Sequence, residues 1–145
     1  MKYINKIIIS ADEVYHYEWL NSTDICFTLV NNDIINSKLF KKIIYSIISN
    51  KISKKLISKT EYNEHSSGFS IRCKGFADNS KITMLLEEVC DYYINNKITF
   101  SKNSKKAEEF YLENYLVFKE FLEEIKEYIK NEKITYYYQG VDGFN

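Results

Sequence analysis

The sequence predicts an α+β fold: a ferredoxin-like (βαββαβ) core over residues 24–100, an N-terminal addition, and a long C-terminal helix followed by a terminal strand. Three observations carry that expectation. Apolar residues alternate over 24–30 and 68–74 with the two-residue period of half-buried strands. They recur at steps of three and four over 37–50 and 78–95, the period of an amphipathic helix. The resulting order from residue 24 to 100 is strand, helix, two hairpin strands, helix, strand, which is the split βαβ arrangement.

Each element has a local reason. In the first core strand Ile25, Phe27 and Leu29 share one side, with Asp24, Cys26 and Thr28 on the other. Asn31 to Asp33 break that pattern, and Asn36 or Ser37 is placed to cap the helix that follows. This helix directs Leu39, Phe40, Ile43, Ile44, Ile47 and Ile48 inward and Lys38, Lys41 and Lys42 to solvent. Two strands, 55–62 and 68–74, flank a polar turn over 63–67, and Phe69, Ile71 and Cys73 form the inward face of the second. Asp78, Asn79 or Ser80 caps a helix running to about residue 95, and a short strand is expected over 97–100.

The additions lie outside this core. Residues 3–10 read as an edge strand and 11–20 as a short helix rich in aromatics. Residues 105–130 form the most regular helical pattern in the chain. There Tyr111, Tyr115, Phe118, Leu122, Ile125 and Ile129 alternate steps of four and three, a heptad-like seam. Such a short seam favours a helix packed along its own domain over a dimer contact, and a homodimer is the alternative. Residues 133–139 read as a terminal strand, with a turn at Asp142-Gly143.

At 145 residues, with 45% hydrophobic and 28% charged, the chain is expected to be one domain, 1–145, with an ordinary globular balance. No apolar run approaches a signal-peptide core or a spanning helix, so a cytoplasmic location without membrane partners is expected. Cys26, Cys73 and Cys90 are odd in number and widely spaced, which argues against a disulfide framework and for three buried, reduced thiols. Ile, Lys, Asn and Tyr are enriched, Pro is absent, and Arg occurs once, at Arg72. That bias points to an A/T-rich genome, such as a low-G+C bacterium, its phage or a large DNA virus. Mutation pressure is therefore a competing explanation for every lysine-rich or tyrosine-rich stretch.

Motifs of catalysis are missing. The four glycines form neither a phosphate-cradling loop nor a dinucleotide fingerprint. No nucleophile elbow and no cysteine pair at zinc spacing occurs. His65 falls in a predicted polar turn, and His16 sits in an aromatic run with Glu13 and Glu18, a poor metal or proton-relay set. No cofactor, metal or catalytic residue is expected, and an enzyme with an unfamiliar site ranks third among functions.

Charge is segregated along the chain, at net −3 over 1–36, +8 over 37–106 and −5 over 107–145. The acid-free run 34–60 holds seven lysines, Lys38, Lys41, Lys42, Lys51, Lys54, Lys55 and Lys59, and makes a nucleic-acid-binding regulator the second-ranked function. Arginine, favoured for bidentate phosphate and base contacts, is nearly absent. The outer positions of the central strands, Cys26, Thr28, Ser70 and Arg72, also lack the aromatics that stack RNA bases.

The first-ranked function is a non-enzymatic binding protein of inhibitor, toxin-immunity or anti-defence type, acting by stoichiometric protein–protein contact. Its expected surface joins Glu109, Glu113, Glu120 and Glu127, on the free side of the C-terminal helix, to Tyr136, Tyr137 and Tyr138 of the terminal strand. Three consecutive strand residues cannot all face inward. An acidic, aromatic surface suits a protein partner with a basic face.

Overall fold

The computed structural model describes residues 2–12, 21–56, 59–75 and 77–139. In chain order the elements are β1 (Ile4–Asp12), β2 (Ser22–Leu29), α1 (Lys38–Leu56), β3 (Lys59–His65) and β4 (Gly68–Lys74). They continue with α2 (Asn79–Asn95), α3 (Lys105–Glu113), α4 (Tyr115–Lys130) and β5 (Thr135–Gln139). The fold is mixed α+β, with a five-stranded sheet in the order β3-β4-β2-β1-β5. Neighbours pair antiparallel except β1 and β5, which are parallel.

The βαββα part of the expected core is present as β2, α1, β3, β4 and α2, and β4 lies between β2 and β3. The ferredoxin-like order is not reached. Residues 97–100 form no strand, and the place beside β2 belongs to β1, which is therefore an interior strand and not an edge. The competition is one of ladder length: β1 registers with β2 from Ile4↔Leu29 to Asp12↔Ser22. A bulge at Asn5 shifts the register so that Ile4 and Ile7, three apart, both reach the buried face. Ile98 and Phe100 instead pack against the core from the side, the Ile98 amide donating to the Tyr111 hydroxyl at 3.2 Å.

Register puts Ile7, Ile9, Phe27, Ile25, Phe69 and Ile71 on one face of the sheet, and the helices bury that face. Phe27 stacks on Phe69 at 5.0 Å and meets Phe121 at 6.2 Å, while Phe40 bridges Phe118 at 4.4 Å and Phe121 at 5.1 Å. The heptad seam is thus used inside the domain. Tyr111, Phe118, Leu122 and Ile125 are buried and Tyr115 and Ile129 half-buried, while Phe121 and Tyr128 widen the stripe to an ordinary helical face.

Helix starts follow the capping expectation. The Ser37 hydroxyl oxygen accepts the Phe40 amide at 3.2 Å, and the Asp78 carboxylate accepts the Lys81 amide at 3.2 Å. The expected 105–130 helix is two helices, broken at Asn114 (φ −117, ψ 27). Its amide is shared between the carbonyls of Phe110 and Tyr111, and its side-chain amide also donates to the Phe110 carbonyl, at 2.9 Å. An asparagine that competes for the preceding carbonyls in this way ends a helix without proline or glycine. The hairpin turn also shrinks. Ladder pairing runs to His65↔Gly68, leaving Ser66-Ser67 as the connection, so His65 ends a strand, exposed, its Nε2 2.9 Å from Ser70 Oγ.

Helix α4 closes on a Schellman motif, with the Lys133 amide donating to the Tyr128 carbonyl at 2.9 Å and the Glu132 amide to the Ile129 carbonyl at 3.2 Å. This geometry holds Glu132 at φ 54, a conformation glycine adopts without steric cost. Glu132→Gly should therefore raise the unfolding free energy by up to about 1 kcal/mol, measured by urea denaturation. An equal or lower stability would contradict the strain.

Of the three thiols expected to be buried, Cys73 and Cys90 are, whereas Cys26 is half-buried on the sheet face away from the helices. Burial pushes the Cys73 thiol up to about 12 and raises those of Cys90 and Cys26, with the Asp24 charge adding to the effect at Cys73 and Cys26. A thiol reagent at pH 8 should label Cys26 first, slowly for an accessible thiol, and reach Cys73 and Cys90 only on unfolding. Early labelling of Cys73 by peptide mapping would overturn the strand phase.

Candidate partner-binding surface

Strand β5 pairs with β1 alone, so among the described residues it forms the edge of the sheet. Tyr136, Tyr137 and Tyr138 are 46, 57 and 63% exposed. The register Ile9↔Tyr136, Ser10↔Tyr137 and Ala11↔Tyr138 sends Tyr136 and Tyr138 toward the helix side and Tyr137 toward the open face. The expectation that the tyrosines cannot all turn inward is met by all three remaining accessible.

Helix α2 positions this strand. The Tyr136 hydroxyl lies 3.1 Å from Thr83 Oγ1, and the Asn79 side-chain amide donates to the Tyr137 carbonyl at 3.2 Å. Asn79, Ser80, Thr83 and Tyr136 line a recess of about 430 Å³, and Met84 beside it is 62% exposed. Glu87 and Glu88, one turn further along α2, are exposed, and the charge of Glu87 acts on Lys126 of α4. These neighbours were not anticipated, although the step from Ser80 to Met84 to Glu88 is a helical stripe visible in the sequence.

The acidic residues assigned to the C-terminal helix are brought together in two separate pairs, Glu120 and Glu127 lining one recess along α4 and Glu109 and Glu113 one turn apart on α3. Glu109 and Glu113 lie on α3 and Glu127 on α4, all exposed, with the Asn114 break between the two helices. Glu127 accepts from the Asn131 side-chain amide at 3.1 Å. Glu120 is not free. It accepts from Lys2 Nζ at 2.7 Å and the Tyr3 hydroxyl at 2.9 Å, bonds that hold its carboxyl below the usual range. The approach of Lys2 and Tyr3 cannot be read from helix periodicity, which puts Glu120 in open solvent.

The lysines of 34–60 also fail to form one surface. Lys41 is only 4% exposed, turned inward with its Nζ 3.4 Å from a carboxylate oxygen of Glu64 on β3, so the expected solvent position is overturned. The acid-free stretch is acid-free in sequence but not in space. Hydrogen bonding from Tyr62, and then the charges of Lys41 and Lys38, hold the Glu64 carboxyl low. Lys51 lies over the Tyr92 ring at 5.8 Å. Lys38 and Lys42 share an exposed stripe of α1, Lys54 and Lys55 end that helix, and Lys59 starts β3.

Cys26, Thr28, Ser70 and Arg72 do share the sheet face opposite the helices, as expected. Arg72 is held by both oxygens of Asp24, at 2.9 Å each, and Lys74 pairs with Glu61 at 2.9 Å. These cross-strand ion pairs neutralise the cations that a phosphate backbone would need. Among the described residues no group of three metal-ligating side chains converges. His16, with Glu13, Glu18 and the aromatic run around them, lies outside the described residues, as does the turn at Asp142-Gly143. No helix among the described residues is long and apolar enough to cross a membrane. Compared with protein-family models, curated proteins and solved structures, the chain matches none of them.

Proposed function

We propose that this chain is a non-enzymatic binding protein that acts by stoichiometric contact with another protein, through the β5 edge and the adjoining face of α2. The observation that carries this reading is the run of three exposed tyrosines on an edge strand. Tyrosine offers large contact area with few rotatable bonds and a polar tip, the properties of interface anchors. Among the described residues no second strand flanks β5, so a partner's extended segment has a sheet edge to add to. The recess beside Tyr136 gives one partner side chain a place to insert. Inhibition, toxin immunity and anti-defence are functions that stoichiometric contact of this kind serves, and the A/T-rich composition is compatible with a bacterial or phage setting for them.

The test is affinity capture from the native host with three baits: wild type, Tyr137→Lys with Tyr138→Lys, and Lys38→Glu with Lys55→Glu. Wild type and the lysine variant should retain the same protein in equimolar amount. The tyrosine variant should lose it, with dissociation faster by about ten-fold or more for each anchor removed. Equal retention by the tyrosine variant would sink the reading. Loss in the lysine variant alone would move the interface to α1 and revive nucleic acid as the ligand.

A further inference from the structure

A second feature lies away from β5, where α1 faces the end of α2 and the stretch from Ile98 to Ala107. These elements line a half-open cavity of about 600 Å³, within the size range of small-molecule sites. Ile43, Ile47, Ile98 and Phe100 supply apolar wall, and Tyr93 contributes a second ring. Lys42, Ser46, Asn50 and Ser53 follow one another at four, four and three residues, a single polar stripe of α1 turned toward the cavity. Thr99 and Ser101 face them from the other side.

The electrostatics of this lining are one-sided. Among the described residues that line the cavity none is acidic, and Lys42 is the one charged side chain. Lys42 forms no ion pair among the described residues, unlike Lys2, Lys41, Lys74 and Lys126, each of which has its carboxylate. An unpaired ammonium at the rim of an apolar, hydroxyl-lined cavity favours an anion over a neutral or cationic guest. The first turn of α3 adds to this, since Ser104 makes no side-chain cap bond and its hydroxyl is instead 3.0 Å from Ser101 Oγ.

We propose that this cavity binds a small phosphorylated ligand carrying a planar ring, of the nucleoside monophosphate class, with the phosphate at Lys42 and the ring against Phe100. Serine and threonine hydroxyls on both walls match the sugar hydroxyls of such a ligand, and ring stacking supplies the apolar part of its affinity. The site is independent of the β5 surface, and neither reading rests on the other.

The experiment is isothermal titration of the intact chain at low ionic strength with AMP, UMP, adenosine and inorganic phosphate. AMP or UMP should bind saturably at one site, with adenosine and phosphate each weaker by about ten-fold or more. Lys42→Glu should weaken nucleotide binding by about ten-fold or more, and Ser46→Trp, which fills the cavity, should abolish it. Both positions are exposed, so the fold is retained, which circular dichroism checks. Tyr137→Lys should leave nucleotide binding unchanged. Absence of saturable heat up to several millimolar nucleotide would overturn the proposal. So would phosphate or adenosine binding as tightly as the nucleotides, or nucleotide affinity unaltered in both cavity variants.

Discussion

Gly68→Ala is expected to lower the unfolding free energy by about 3 kcal/mol, from a single added methyl group. An ideal Cβ at Gly68 would lie 1.9 Å from the Phe27 carbonyl oxygen and 2.9 Å from its carbon. Both atoms belong to the backbone of β2, so no side chain can rotate away. The strand would have to move, and Phe27, stacked on Phe69 and tilted against Phe121, would move with it. Close approach is built into this corner, because the Leu29 amide donates to the Ser67 carbonyl at 2.7 Å where the β3–β4 hairpin meets β2. Gly75, whose φ of 78 is also unusual, has open space where a Cβ would go, so its substitution tests conformational strain without a clash. Urea denaturation of Gly68→Ala and Gly75→Ala separates the two, with Gly75→Ala costing about 1 kcal/mol. A loss at Gly68 no larger than that at Gly75 would show that β2 and β4 have room to part.

Glu124→Ala should cost about 2–3 kcal/mol, far above the usual effect of changing one helix-surface acid. The Glu124 carboxylate accepts three successive backbone amides, from Lys2 at 3.0 Å, Tyr3 at 2.9 Å and Ile4 at 2.7 Å. Removing it strands those donors at the start of an interior strand, where the bulge at Asn5 already interrupts the ladder. The Tyr128 hydroxyl, donating to the Ile4 carbonyl at 2.7 Å, is the second tie between α4 and this strand. Hydrogen exchange in Glu124→Ala should show faster exchange through β1 and β5, with β3 and β4 less affected. A stability change under about 1 kcal/mol would mean that β2 alone holds the strand start.

What the sequence revealed and concealed divides along physical lines. Strand phase was legible wherever polar and apolar residues alternate, as in Phe69, Ile71 and Cys73, all fully buried. Cap positions were legible at Ser37 and Asp78 because capping is local chemistry. The interior place of β1 was not, since Ile7, Ile8 and Ile9 are contiguous and carry no phase, and choice of neighbour is decided by ladders between distant segments. The same distance hid the roles of single charges. Lys41 looks solvated until β3 brings Glu64 beneath it, and Glu120 and Glu124 look free until the residues around Tyr3 arrive. On the candidate surface, strand geometry required only that one of Tyr136 to Tyr138 face away from the core, and exposure of all three goes with the edge position of β5. The partnership with Thr83 and Asn79 required the sheet order.

The parallel pairing of β1 with β5 joins Ile8 to Thr135, nearly the whole described chain apart, and no short turn links them. Closing so long a loop is entropically costly, so this pair is expected to form after the β3–β4 hairpin and the α1–α2 contacts, an order that pulse-labelling hydrogen exchange during refolding would test. The tyrosine edge therefore exists as a shaped surface only once the rest of the domain has folded. Partially folded chains would present Tyr136 to Tyr138 without the α2 recess beside them. If this edge is the partner surface proposed above, recognition would be coupled to completion of the fold, and a partner meeting a nascent or damaged molecule would find the aromatic rings but not the site.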